Sequence, residues 1–220
     1  MKFIRDLLVA GGKKLAFTGV LERMPQTSRE IMEPKEYLAG RVVPPLLLPD
    51  FDFLKKDFEP FDAGAVGELD VSILLKQYAE STVADRLSPE WRGGSYYAAG
   101  RKGATPTDAN STAHIGLVYV SKWASENAAT DFAKNYASAL PGRYNKLERA
   151  QVAGDIPGRE KYLSADGPIF IQHNGDLVIA VESFDDATAD KLIRAVQKKV
   201  EQGSKESTPA KSSAPSSVSH

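Results

Sequence analysis

The stretch from Trp91 to Trp123 constrains the fold of this chain more than any other part. Its second half, Ile115–Trp123, alternates Leu, Tyr, Ser and Trp with Val, Val and Lys, which is the period-two pattern of a strand. Its first half, W-R-G-G-S-Y-Y-A-A, places Tyr96 and Tyr97 on opposite faces of another strand. We expect the two strands to pair in one sheet. The polar loop Gly100–Ala113 between them is expected to be exposed and mobile.

Further strands and helices are predicted on both sides of this pair. The other predicted strands are Phe58–Val66, Leu147–Val152, Arg159–Leu163, Pro168–His173 and Leu177–Val181. The last two are joined by H-N-G-D, residues 173–176, in which Asn174-Gly175 is a strong hairpin signal. Helical spacing of apolar residues predicts helices over Val71–Tyr78, Ala129–Leu140 and Ala189–Val200. The pattern predicts an α+β fold with a mostly antiparallel sheet and two main packed helices.

The ends of these helices also have sequence signals. Ser125 is expected to cap the helix that follows it, and Pro141-Gly142 to end that helix. Ser183 together with Asp186 is expected to cap the last helix.

Three regions follow from the composition along the chain. Residues 1–56 form a short helical and proline-rich N-terminal region, 57–202 the α+β domain, and 203–220 a disordered tail without large apolar groups. The helices near the N-terminus are expected to pack on the domain. The alternative is a membrane-surface or partner-binding arm, because Lys and Arg residues flank their apolar face.

Overall charge and composition exclude several classes of function. The formal net charge is −1, so we expect no nucleic-acid partner. No apolar run is long enough to cross a bilayer, and no transmembrane segment is predicted. Asp6 interrupts the short apolar segment near the N-terminus, so no signal peptide is predicted either. The expected location is the cytoplasm, or outside the cell if the chain is a fragment of a longer precursor. The sequence does not indicate an oligomeric state.

No group of residues indicates a reaction. The chain has no cysteine, and its histidines are isolated in the sequence, so no metal site is predicted. Phosphate-binding glycine loops and the nucleophile-elbow motif are absent from the sequence. Neighbouring carboxylates such as Asp185 and Asp186 are explained by helix capping. We therefore predict no catalytic residue and no cofactor, and the sequence favours a protein that is not an enzyme.

A set of aromatic and basic side chains in the central stretch is the candidate ligand-binding site. Stacking rings bind flat or charged ligands, and Arg beside Gly93-Gly94 is an arrangement that holds anions. The alternative is that the rings pack in the core and the glycines form a turn. The candidate residues are Trp91, Arg92, Tyr96, Tyr119 and Trp123.

The order of several motifs resembles a group of uncharacterised bacterial proteins similar to gluzincin-type zinc metallopeptidases. These motifs are P-Q-T-S-R-E-I-M-E-P-K-E-Y-L, then Gly67-Glu68, then W-R-G-G-S-Y, then the strand ending at Trp123 and the helix through Phe132. The resemblance extends from about Met1 to Leu140. This chain has no H-E-x-x-H zinc motif, and Glu33 takes the position of the histidine that precedes proline in that group. No zinc ligand or catalytic base is therefore carried over.

The resemblance implies the C-terminal, non-catalytic half of such an architecture. Our first hypothesis is a non-catalytic structural or interaction module, whose partner would be another protein chain. The second is one part of a split or truncated zinc peptidase that needs a separate catalytic chain. The third is a binder of a small ligand or peptide that uses the 91–123 hairpin.

Overall fold

The structure, a computed structural model, describes residues 2–103, 105, 114–152, 154 and 156–206. Its strands are β1 (Phe58–Ala65), β2 (Trp91–Arg101), β3 (Ile115–Trp123), β4 (Glu148–Ala150), β5 (Arg159–Ser164), β6 (Gly167–Asn174) and β7 (Leu177–Glu182). They form one seven-stranded sheet in the order β1-β2-β3-β7-β6-β5-β4. Every pairing is antiparallel, which confirms the predicted fold class.

Helices precede the sheet and lie between its strands. The α-helices are α1 (Lys2–Lys13), α2 (Val20–Glu22), α3 (Ser28–Met32), α4 (Pro34–Leu38), α5 (Glu68–Tyr78), α6 (Ser81–Leu87), α7 (Glu126–Arg143) and α8 (Asp186–Glu206). Shorter turns of other helix types are Lys14–Gly19, Asp52–Lys56 and Ser88–Glu90. In the part of the chain that the structure describes, no helix is both long and apolar enough to span a membrane.

The central pair of strands is β2 with β3, as predicted. In their register Tyr96 lies opposite Tyr119, and a bulge between Trp91 and Gly93 is made possible by the φ of +144° at Gly93. The predicted loop Gly100–Ala113 begins inside β2, because β2 continues to Arg101. Most of that loop lies outside the described residues.

Helices cover both faces of the sheet, so β3 is buried on two sides. On one face Tyr119 and Trp123 belong to a core that includes Phe132 of α7. On the other face Val118 and Val120 belong to a core that α8 closes. Alternation along β3 therefore distributes its side chains between two hydrophobic cores rather than between core and solvent.

Two predicted helix boundaries are wrong. The helix α7 continues through Pro141 to Arg143, because a proline in the last turn removes only one backbone hydrogen bond. The cap of α8 is Asp185, whose Oδ1 accepts from the backbone N–H of Thr188 at 3.0 Å, and not Ser183. The predicted hairpin between β6 and β7 is confirmed, and its turn consists of Gly175 and Asp176.

The boundary of the predicted tail also moves. Residues 203–206 continue α8, so the helix extends into the segment for which disorder was predicted. The remainder of that segment, 207–220, lies outside the described residues.

A buried ion pair joins the N-terminal region to the rest of the chain. Arg29 donates to Glu68 Oε2 at 2.8 Å and to the carbonyl of Pro89 at 2.6 Å. Glu68 is completely buried and its Oε1 has no hydrogen-bond partner among the described residues. The N-terminal helices also leave Val9 and Leu21 largely exposed, and the partner-binding or membrane-surface arm stays a prediction.

Candidate functional site

A cavity of about 350 Å³ lies between α5, α7 and the sheet. The helix α5 contributes an apolar wall, the strands β2 and β3 contribute the floor, and α7 closes one side. Its lining residues are mainly apolar and aromatic: Val66, Asp70, Val71, Leu74, Gln77, Tyr78, Tyr96, Leu117, Tyr119, Tyr136 and Arg143. Volume and lining both fall in the range of small-molecule sites in proteins.

The spacing of the lining residues along the chain places them on one face of α5 and on one face of β3. Val71, Leu74 and Tyr78 share one face of α5 because they lie three and four residues apart. Leu117 and Tyr119 share one face of β3 because they are two residues apart. The cavity forms where these two faces meet.

Tyr119 is one of the lining residues, and its hydroxyl is buried. The side chain is 6% exposed, and its oxygen has no hydrogen-bond partner among the described residues. Burial raises the pKa of this phenol well above its ordinary value, and the neighbouring Ser121 hydroxyl offsets this only in part. A buried hydroxyl without a partner costs about 1–3 kcal/mol.

One wall of the cavity is rigid because four donors converge on Glu182 at the end of β7. Arg143 of α7 binds this carboxylate in bidentate fashion, with N–O distances of 3.1 and 2.8 Å. Tyr136 donates to Oε1 at 2.6 Å, and Tyr144 donates to Oε2. Glu182 is 2% exposed, so this charge is compensated where water is excluded. The carboxylate is saturated with donors and holds α7 against the sheet.

The rings of this wall are fixed in place as well. Tyr119 stacks on Tyr136, with 5.8 Å between centroids and 13° between planes. The guanidinium of Arg143 lies 5.2 Å from the centre of the Tyr136 ring. Burial, followed by the charge of Glu182, raises the pKa of Tyr136 well above its ordinary value. Neither phenol is therefore ionised near neutral pH.

The rim of the cavity is more polar and more exposed. Asp70 lines it and accepts a hydrogen bond from the backbone N–H of Gly67 at 2.8 Å. Tyr96 donates its phenol proton to Asp62 at 2.6 Å. Gln77 donates to the hydroxyl of Tyr78 at 3.3 Å. The rim therefore presents carboxylates and phenol rings to an entering ligand.

The five residues predicted to bind a ligand are divided among three places. Tyr96 and Tyr119 face the cavity together. Trp91 and Trp123 are 4% and 1% exposed and lie in the core, where Trp123 stacks on Phe132 at 4.5 Å. Arg92 lines a different cavity, and its NH1 donates to the carbonyls of Pro89 and Trp91. The role of all five in binding stays a prediction.

The sequence reasoning missed Glu182, Arg143 and the contribution of α5. One signal was present: Glu182 ends the otherwise apolar run L-V-I-A-V-E, where a charge needs a buried partner. Its partners Tyr136, Arg143 and Tyr144 are 38–46 residues away in sequence. No local pattern connects them.

Among the described residues, no group of three or more His, Cys, Asp or Glu side chains is placed to hold a metal ion. The sequence-based expectations of no metal ligand and no cofactor stay predictions.

Comparisons with known proteins give one family and one similar structure. A family model described as "Domain of unknown function (DUF8575)" matches residues 58–193. No curated protein matches the chain. The crystal structure of the extracellular domain of PknH from Mycobacterium tuberculosis is similar at 9% sequence identity and a TM-score of 0.40, and the match covers 70% of this chain and 93% of that chain. Neither description mentions a metallopeptidase, so that resemblance and the split-peptidase hypothesis stay predictions.

Proposed function

This chain belongs to the family of the domain of unknown function DUF8575, and we propose that it is a non-catalytic module that binds a small organic ligand in the α5–α7 cavity. The observation that carries this proposal is a cavity of about 350 Å³ whose lining is mainly apolar and aromatic and includes the rings of Tyr78 and Tyr96. An apolar wall supplies affinity by burial of part of the ligand, and a small number of polar groups set its orientation.

The polar groups of the cavity support binding rather than bond-breaking. A general acid or base needs a pKa near the working pH and freedom to exchange its proton. The phenols of Tyr119 and Tyr136 have pKa values raised far above neutrality by burial. The carboxylate of Glu182 already accepts from Arg143 and two phenols. These groups fix the shape of the cavity wall.

Acetophenone is a suitable first probe, because its apolar ring suits the apolar and aromatic lining and it carries no charge. Saturation-transfer NMR and chemical-shift mapping are expected to place it against Leu74 and Tyr119. A Leu74→Trp substitution fills the cavity from α5 and is expected to abolish this binding.

The matched control is Leu69→Trp on the same helix, where the native side chain is 48% exposed. This variant is expected to bind acetophenone as the wild type does. Equal binding by the Leu74 and Leu69 variants would contradict the proposed site, and absence of binding to the wild type at millimolar concentration of any probe used below would contradict the proposed function.

A further inference from the structure

The chemical class of the ligand follows from the charges around the cavity. Two charged residues line it, Asp70 and Arg143. Arg143 is neutralised by its bidentate ion pair with Glu182. Asp70 forms no ion pair with any described residue. The lining together with Glu182 therefore has a formal charge of −1, and Asp62 on the Tyr96 hydroxyl adds a second negative charge at the rim.

The aromatic side chains that line the cavity also favour a positively charged ligand. Four tyrosines line the cavity: Tyr78, Tyr96, Tyr119 and Tyr136. The face of a phenol ring attracts cations, and the Arg143 guanidinium over the ring of Tyr136 is an example inside this site. Tyr136 is already covered by Tyr119 and Arg143, whereas Tyr96 is partly exposed. The phenol of Tyr96 donates its proton to Asp62, which increases the electron density of this ring.

The apolar wall of the cavity suits an alkylated ammonium group better than a primary ammonium group. A primary ammonium group needs three hydrogen-bond acceptors when it leaves water. The wall formed by Val71, Leu74 and Leu117 offers methyl groups and no acceptor. A quaternary ammonium group has no N–H to satisfy, so it is desolvated at lower cost against such a wall and against ring faces.

We propose that the ligand is a small organic cation with an alkylated ammonium group, held against the rings of Tyr78 and Tyr96 and beside Asp70. This inference rests on the proposed function and specifies its ligand class.

The test compares choline with 3,3-dimethyl-1-butanol, which has the same shape and hydroxyl but a neutral carbon in place of nitrogen. Isothermal titration calorimetry or NMR titration of the full chain is expected to give at least tenfold tighter binding of choline. Binding of choline is expected to weaken as salt concentration rises, because part of the attraction to Asp70 is screened.

Three variants at two positions identify the groups responsible. Asp70→Asn retains an acceptor for the Gly67 N–H and is expected to weaken choline binding about fivefold while leaving binding of the alcohol unchanged. Tyr96→Phe keeps the ring and is expected to bind choline, whereas Tyr96→Leu is expected to lose most of the affinity.

The outcomes separate the two proposals. If the alcohol or acetophenone binds as tightly as choline, or if either binds and choline does not, the cavity takes a neutral ligand and this inference is wrong while the proposed function stands. If choline, the alcohol and acetophenone all fail to bind the wild-type chain, the proposed function itself is wrong.

Discussion

Tyr136 of α7 donates its phenol proton to Oε1 of Glu182 at the end of β7, across 2.6 Å and 46 residues of sequence. One stacked ring away, the hydroxyl of Tyr119 has no partner among the described residues. Two buried phenols in contact therefore have opposite energetic roles. The hydroxyl of Tyr136 stabilises the packing of α7 on the sheet. The hydroxyl of Tyr119 destabilises the folded protein, because it is buried without a partner.

Removing the two hydroxyls separately is expected to give opposite results. Tyr119→Phe removes an unsatisfied buried group, so the free energy of unfolding is expected to stay equal or to rise by about 1 kcal/mol. Tyr136→Phe removes a donor to a buried carboxylate, so this substitution is expected to lower the free energy of unfolding by about 1.5–3 kcal/mol. Urea denaturation with matched m-values measures both. A loss of more than about 1 kcal/mol for Tyr119→Phe would show that its hydroxyl has a partner in the apo protein.

The ion pair between Arg143 and Glu182 is expected to matter far more than an exposed pair. Glu182→Gln leaves the guanidinium, which is partly buried, without a countercharge, and should lower the free energy of unfolding by about 3 kcal/mol. The control is Asp131→Asn, which breaks the exposed pair with Arg86 and should cost less than about 1 kcal/mol. Chemical denaturation of both variants checks the difference, and similar losses would contradict the role given to Glu182.

Glu68 is expected to make stability depend on pH. Burial raises the pKa of this carboxyl from 4.5 to about 7, against the opposing charge of Arg29. The folded protein therefore binds more protons than the unfolded chain between these pH values. Its free energy of unfolding should fall as the pH rises from about 4.5 to about 7, by up to about 3 kcal/mol, and change little above that.

Thermal or urea unfolding at a series of pH values measures this slope. Glu68→Gln cannot titrate and is expected to lack this component of the slope. Glu148→Gln, on the exposed strand β4, is the control with the same chemical change. A Glu68→Gln variant with the full wild-type slope would assign the pH dependence to other groups.

Gly116 is expected to tolerate no side chain. A Cβ atom at this position would lie 2.4 Å from Cζ of Phe184, which packs directly on β3. Gly116→Ala should lower the free energy of unfolding by about 1–3 kcal/mol through overpacking. Gly203→Ala, where nothing lies within 4 Å, should raise it by up to about 1 kcal/mol, because alanine favours the helical conformation of α8. Replacing Phe184 by Leu in the Gly116→Ala background should recover part of the loss.

Only Tyr96 and Tyr119 of the lining residues were named from the sequence. They were named because both lie on strongly patterned strands on either side of the loop Gly100–Ala113. Trp91 and Trp123 belong to the same strands, and their location in the core depends on where Phe132 of α7 packs. Sequence alternation assigns a residue to a face of a strand. It does not show whether that face is filled by a helix or left open as a cavity.

The sequence by itself determined the strands, the antiparallel sheet and the amphipathic helices. Patterns with a period of two or 3.6 residues are local, so they do not depend on how the strands and helices pack together. Only the tertiary structure decided which rings line a cavity, which carboxylate closes its wall and which hydroxyl lacks a partner. These depend on contacts between α5, α7 and β7 over tens of residues, and the burial that gives them their energy exists only once the helices have packed on the sheet.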